Sequence, residues 1–327
     1  MEPEPGAGGL SVLVCGTAFD PRTTTAVELR GVGEITAESL LGLSQLANVR
    51  TLLVSDSTFS DAGWAALMEV VRGLPVSELG VSGCALGPRH AADLADYVVS
   101  AGGSLTTLRC GSNPGMVGEL DRYGGLETPD AHIEGFRRLC EALKPSQVTE
   151  VDFSGCGLGP LGADSVADYV RNAIAALASL TLDSNGIFGV LPDEDGDGAE
   201  PDKFVSEMQP LLNALKASSI SSLSLKSTGM GAQGVTALVD AIRAMAALAS
   251  LKISQNDAIT GKRVNDEGTA YVYGEQLEGW SALCASIGLS PTLSSVDFAG
   301  CGLTPKALQP LSEAIFAMAA LAEVVLD

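Results

Sequence analysis

The chain has 327 residues, 46% hydrophobic and only 18% charged, so it can bury a long continuous core. Its 40 acidic against 19 basic side chains give a formal charge of −21, a field that repels phosphate backbones and argues against nucleic acid as a partner. No run of 18 apolar residues occurs, which excludes a transmembrane helix, and the acidic Met1-Glu2-Pro3-Glu4-Pro5 start lacks the basic-then-apolar order of a secretory leader.

Taken in chain order, residues 1–23 read as an N-terminal segment, with Leu10-Ser-Val-Leu-Val14 as the material for a cap. From residue 24 to 327 the chain reads as one repeat domain of about ten repeats. A weak first copy of a pattern L-x-x-L-x-L lies near Val27 and Leu29. Clear copies begin at Val49, Val76, Leu105, Val148, Leu177, Ile220, Leu248, Leu293 and Leu321. Successive starts differ by 27, 29, 43, 29, 43, 28, 45 and 28 residues, so the unit is a pair: one short repeat and one long. Alternating apolar residues in each copy, such as Leu180-x-Leu182, predict a short strand with one buried face. Helical spacing follows over Asp61–Leu74, His90–Val99, Ile133–Leu143, Ala163–Leu177, Phe204–Leu215, Ala232–Met245 and Pro305–Met318. Strand plus helix, stacked side by side, predicts an α/β solenoid: a horseshoe with a parallel inner sheet and helices outside.

From Val76 on, the residue eight positions after each start alternates. It is Cys84, Asn113, Cys156, Asn185, Thr228, Asn256 and Cys301, within matched surroundings such as Ser-Gly-Cys-Gly-Leu-Gly at 154–159. The backbone turns out of the strand there. A buried Asn can both accept from and donate to the stranded groups, while a Cys offers a compact apolar body with a weak donor. This pattern resembles leucine-rich repeats of the ribonuclease-inhibitor-like kind, whose two repeat types alternate in the same way. The resemblance implies the fold and, by analogy, a protein-binding scaffold without catalytic activity. Repetition of Cys84, Cys156 and Cys301, and of Cys140 and Cys284, marks them as core residues rather than reactive thiols. Seven cysteines without close pairing predict a reduced, cytoplasmic protein.

The long repeats owe their length to inserts near 114–132, 186–203 and 257–276, all leaving the repeat at one point and therefore expected along one rim. Loops on a rigid scaffold commonly carry binding. Tyr123, Phe188, Tyr271 and Tyr273 are the candidate anchors there, against the alternative that they pack back on the scaffold. The second insert contains Asp193-x-Asp195-x-Asp197-Gly198, which imitates the start of a calcium loop. The twelfth position, where a bidentate Glu is needed, is Phe204, so these three residues form only a weak calcium candidate and a solvated acidic run is preferred. On the inner face of the sheet the non-apolar strand positions are mostly small, with no aromatic among them. Arg109, Asp152, Asp183, Lys226 and Lys252 are the candidate contacts.

Catalytic constellations are missing from the sequence. The only histidines, His90 and His132, have no nucleophile or metal partner at a recognisable spacing, and no phosphate loop occurs. No cofactor is expected, and the negative charge suits a basic protein partner. One alternative follows from the resemblance. GTPase-activating proteins for the Ran GTPase use a similar solenoid and are strongly acidic, but their acids gather in a C-terminal tail, whereas here they are spread along the chain.

Overall fold

Each apolar run of the repeat forms a strand, and consecutive strands lie side by side. In a computed structural model the described residues are 11–192, 198–263, 271–318 and 320–326, with backbone only for 262–263 and 271–273. Among them, ten strands form one parallel sheet in chain order: β1 (Ala26–Arg30), β2 (Thr51–Ser55), β3 (Glu78–Ser82), β4 (Thr107–Arg109), β5 (Glu150–Asp152), β6 (Ser179–Thr181), β7 (Ser222–Ser224), β8 (Ser250–Lys252), β9 (Ser295–Asp297) and β10 (Glu323–Val325). The weak copy near Val27 is therefore a full member of the sheet. One register row runs through the core: Val27, Leu52, Leu79, Leu108, Val151, Leu180, Leu223, Leu251, Val296 and Val324. All but Val324 are buried.

Helices follow the strands on the buried side: α1 (Asp61–Gly73), α2 (Pro88–Ser100), α3 (Ile133–Leu143), α4 (Pro160–Asn172), α5 (Gln209–Lys216), α6 (Ala232–Ala244), α7 (Glu278–Gly288) and α8 (Pro305–Ala317). α7 is absent from the helices expected from periodicity, although Trp280 and Cys284 belong to its buried face. α4 starts three residues before its expected position because Pro160 takes the first helical position, where its missing N–H costs nothing. The Phe204–Leu215 segment divides into a 3₁₀ turn (Val205–Met208) and α5. Edge-to-face aromatic pairs tie a long repeat's helix to the following strand at equivalent places. Phe136 meets Phe153 at 5.0 Å, and Trp280 meets Phe298 at 5.1 Å. Upstream of the sheet, an antiparallel hairpin (Val12–Val14 with Thr17–Phe19) buries Val12 and Val14.

The alternating Asn and Cys close the turns. Asn185 is fully buried. Its Oδ1 accepts from the amides of Cys156 (3.1 Å) and Leu158 (3.0 Å), and its Nδ2 donates to the carbonyls of Phe153, Leu182 and Asp183. Asn113 and Asn256 repeat this set on Cys84 and Leu86, and on Thr228 and Met230. The thiols reach back one strand, Cys156 Sγ to the Cys110 carbonyl and Cys301 Sγ to the Ile253 carbonyl, each at 3.3 Å. Thr228, the departure from Cys, instead donates its hydroxyl within its own coil, to the Leu225 carbonyl at 3.0 Å.

Replacing Asn185 with Ala removes the side-chain partner of four buried backbone groups at once, the amides of Cys156 and Leu158 and the carbonyls of Phe153 and Leu182. With about 1–3 kcal/mol for a buried group left unpaired, the expected loss is at least 3 kcal/mol in a urea unfolding titration. A loss under about 1 kcal/mol would show that the turn does not depend on this side chain.

Candidate interaction surface

The open face of the sheet is polar and largely self-satisfied. Arg109 is not a free anchor: its Nε lies 3.0 Å from Glu78 and its Nη2 lies 3.6 Å from Glu150, so it spans the two neighbouring strands. Asp183 accepts from Ser224 Oγ (2.6 Å) and the Lys226 amide (2.8 Å). Burial pushes its carboxyl above the ordinary value and the Asp152 charge adds to this, while those two hydrogen bonds oppose the shift. Asp152 itself accepts from the Ser154 amide at 2.9 Å. Lys226 and Lys252 are exposed and make no ion pair among the described residues. At the strand entrances, the hydroxyls of Ser77, Thr106, Ser221 and Ser294 donate to carbonyls of the preceding strand. Those small polar residues seal one coil to the next.

The inserts leave and return as antiparallel ribbons. Glu119–Leu120 faces Leu126–Thr128, Val190 bridges Glu200, and Gly261–Arg263 pairs with Tyr271–Tyr273. Two of the inserts are pinned to the next helix by a carboxylate. Asp130, at φ +61°, accepts from the amides of Gly159, Leu161 and Gly162 at the start of α4, all at 2.8–2.9 Å. Asp202, at φ +64°, does the same for Gly231, Gln233 and Gly234 at the start of α6. Each caps a helix of the following repeat, where unpaired amides and the helix dipole favour an anion. The glycines are required, because a Cβ on Gly159 would stand 2.7 Å from Asp130 Oδ2, and one on Gly231 would stand 2.5 Å from Asp202 Oδ2. The third unit inverts the arrangement. Gly274, at φ +77°, holds the aspartate's place, while Thr304 and Ala307 replace the two glycines at the start of α8. A Cβ on Gly274 would lie 2.5 Å from Thr304 Oγ1. This exchange was legible as a fixed offset: Asp130 and Asp202 each precede their cap glycine by the same interval.

The four expected anchors separate. Tyr123 is 75% exposed at the tip of the first insert, with the Arg122 guanidinium 4.5 Å from its ring centroid. Asp121 Oδ1 shapes that tip by accepting from the amides of Tyr123 and Gly125. Leu120 and Leu126, which sequence reasoning passed over, flank it, both more than a third exposed. Phe188 corrects the expectation: it is fully buried and anchors the second insert to the core rather than to a partner. Its backbone explains why, since the Phe188 amide donates to the Thr228 carbonyl and pulls the ring inward. Tyr271 and Tyr273 sit on a strand of the third insert, and their side chains lie outside the described residues. Asp193, Asp195 and Asp197 lie wholly outside the described residues. Among the described residues no cluster of three or more His, Cys, Asp or Glu is placed to hold a metal ion.

The groups most often recruited for chemistry are engaged in structure. All seven cysteines are free thiols, and six are buried. Burial pushes the Cys84 thiol up to about 11 and that of Cys284 to about 12, and raises Cys110, Cys140 and Cys156 further. His90 stacks edge-on against Trp64 at 4.7 Å, and its Nδ1 accepts from the Gly87 amide at 2.8 Å, capping its own helix. Burial lowers its pKa, favouring the neutral ring that this bond needs. Trp64 Nε1 in turn donates to Asp93 at 2.8 Å.

Among solved structures, the chain is similar to the leucine-rich-repeat-containing protein LegL7 from Legionella pneumophila. The likeness covers 93% of this chain and 83% of that one, at 16% identity and a TM-score of 0.53. It also matches an internalin, InlF, from Listeria monocytogenes over 94% of this chain and 89% of that one, at 12% identity and a TM-score of 0.39. No protein-family model matches the chain, and no curated protein is similar to it in sequence. The parallel sheet, the outer helices and the LegL7 likeness together define an α/β leucine-rich-repeat solenoid. No helix among the described residues is long and apolar enough to cross a membrane.

Two outcomes follow from this geometry. Asp130→Ala should cost about 1–2 kcal/mol in urea unfolding, the usual loss for an N-cap, and should speed tryptic cleavage after Arg122 by releasing the insert. Unchanged cleavage would mean that the carboxylate does not hold it. In the native protein, Ellman's reagent should modify one thiol quickly, the half-buried Cys15, and the other six only as the chain unfolds. Rapid reaction at a second cysteine would contradict the core assignment.

Proposed function

We propose that this chain is a non-catalytic protein-interaction scaffold that engages its partner chiefly through the rim bearing the inserts. The observation that carries this reading is the first insert. It presents Leu120, Tyr123 and Leu126 to solvent on a ribbon whose base is fixed by Asp130 and by the buried Met116 and Val117. Exposed apolar and aromatic groups on a rigid mount are what protein interfaces draw on, and fixing them in advance lowers the entropic cost of binding. The open sheet face is the lesser surface, because Arg109, Asp152 and Asp183 already have partners, leaving Lys226 and Lys252 as its free cations.

The division into an N-terminal segment (1–23) and a repeat domain (24–327), and the kinship with ribonuclease-inhibitor-like repeats, belong to the same reading. The alternation of Asn113, Asn185 and Asn256 with Cys84, Cys156 and Cys301 supports that kinship. Thiols pushed up by burial and a His90 occupied in capping support a chain without catalytic groups. Seven free thiols suit a reducing compartment such as the cytoplasm. A charge of −21 suits a basic protein partner and disfavours nucleic acid.

The test removes the insert tips and keeps their buried bases. Residues 119–127, 192–199 and 263–270 are each replaced by a short Gly-Ser link, sparing Val117, Asp130, Phe188 and Asp202. The trimmed chain should unfold at the same urea concentration as the intact one and should recover partners from cell extract at least ten times less well. Equal recovery would move binding to the sheet or the helices.

A further inference from the structure

Between the first insert and the turn after β3 lies a groove of about 530 Å³, within the ~300–1,000 Å³ range of ligand-sized pockets. Gly83, Gly87, Gly115, Leu86, Pro114 and Leu120 are among the residues that line it. We propose that this groove and the adjoining ribbon dock an extended basic peptide segment of another protein, with one apolar side chain of the peptide in the groove. The inference rests on the rim reading above and assigns it a place and a partner chemistry.

Three observations choose the occupant. First, the ribbon of Glu119–Leu120 and Leu126–Thr128 is two-stranded, so each strand has a free edge to which an extended chain can add. Second, Glu119, Asp121 and Glu127 lie on this ribbon, and none makes an ion pair among the described residues, which leaves a local negative field for lysine or arginine. The charge of the whole chain adds to it. Third, Tyr123 already holds one guanidinium against its ring and is still 75% exposed, so a cation from a partner finds an aromatic surface there. Acidic edges, an aromatic that takes cations and an apolar slot fit a basic segment with a single apolar anchor.

The experiment uses the full chain as bait for a phage-displayed library of random dodecapeptides. Enriched peptides should carry net positive charge and a shared Leu, Ile, Met or Phe. A synthetic copy labelled with fluorescein should bind with an affinity that falls as salt is raised. The double variant Leu120→Ser/Tyr123→Ala should weaken that binding at least tenfold with unchanged urea unfolding, while Phe316→Ser, at a still more exposed apolar residue on α8, should leave it unchanged. Absence of enrichment, neutral or acidic peptides, or equal binding by the double variant would overturn the proposal. The two readings fail separately. If trimming the insert tips abolishes partner recovery but Leu120→Ser/Tyr123→Ala does not, the rim reading stands and this groove is the wrong place. If trimming changes nothing, the rim reading itself falls.

Discussion

The structure depends on how each coil disposes of its turn. After every strand the chain turns away from the ladder inside the core, where an unpaired amide or carbonyl is costly. The short repeats cannot solve this alone. Their turn amides, at Cys84 and Leu86 or Cys156 and Leu158, are satisfied by the Asn of the next, long repeat. The long repeats solve it with their own inserts. The Val117 amide donates to the Cys156 carbonyl, the Phe188 amide to Thr228, and the Thr260 hydroxyl to the Gly302 carbonyl. At the Asn position of the short repeats a weak donor suffices: the thiols of Cys84, Cys156 and Cys301 each reach a carbonyl of the preceding coil, and the Thr228 hydroxyl bonds within its own. From Val76 on, the alternation of Asn and Cys runs together with the alternation of long and short repeats.

That constraint places the inserts and fixes their attitude. Each insert is stitched to the turn of the following short repeat, so it cannot swing freely about its base. Asp130 and Asp202 add a second point of attachment, using the unpaired amides of a neighbouring helix as the socket. The third insert gives up the carboxylate and fills the same volume with Thr304 against Gly274. Three coupled positions change together, from Asp-Gly-Gly to Gly-Thr-Ala, because carboxylate and β-carbon compete for one space. A ribbon held at two points can present Tyr123 without paying to order it at the moment of contact.

Much of the fold was legible because its causes are periodic. The register row from Val27 to Val324 is the L-x-x-L-x-L pattern folded, and the role of the buried Asn follows from its four hydrogen-bonding sites. The candidate site was legible only in part. Tyr123 is at the surface and Phe188 in the core because their places differ: Phe188 follows Asn185 at the same short offset by which the buried Met116 follows Asn113 and Ile259 follows Asn256, while Tyr123 lies further out on its insert. What the spacing does not name is the partner that holds this place, the Thr228 carbonyl of the next coil, which accepts from the Phe188 amide. Arg109 has the same lesson: its charge is spent on Glu78 and Glu150, which reach it only when β3 and β5 flank β4. Pairings between coils set which side chains remain free, and the sequence of one coil is silent on its neighbours' side chains.

The two polar surfaces therefore differ in what a partner would meet. On the open sheet, neighbouring strands stand close enough for side chains to bond across them, as Ser224 does to Asp183 and Ser254 to Asp297 at 2.6 and 2.9 Å. A partner docking there must displace bonds already made, which lowers its net gain. On the rim, the short repeats separate the inserts, and on the first one Glu119, Asp121 and Glu127 face solvent and make no ion pair among the described residues. Binding there replaces water rather than protein contacts. The solenoid uses its internal hydrogen bonds to close the sheet face and to hold the rim in place, and this asymmetry is what favours the rim in the proposed mode of association.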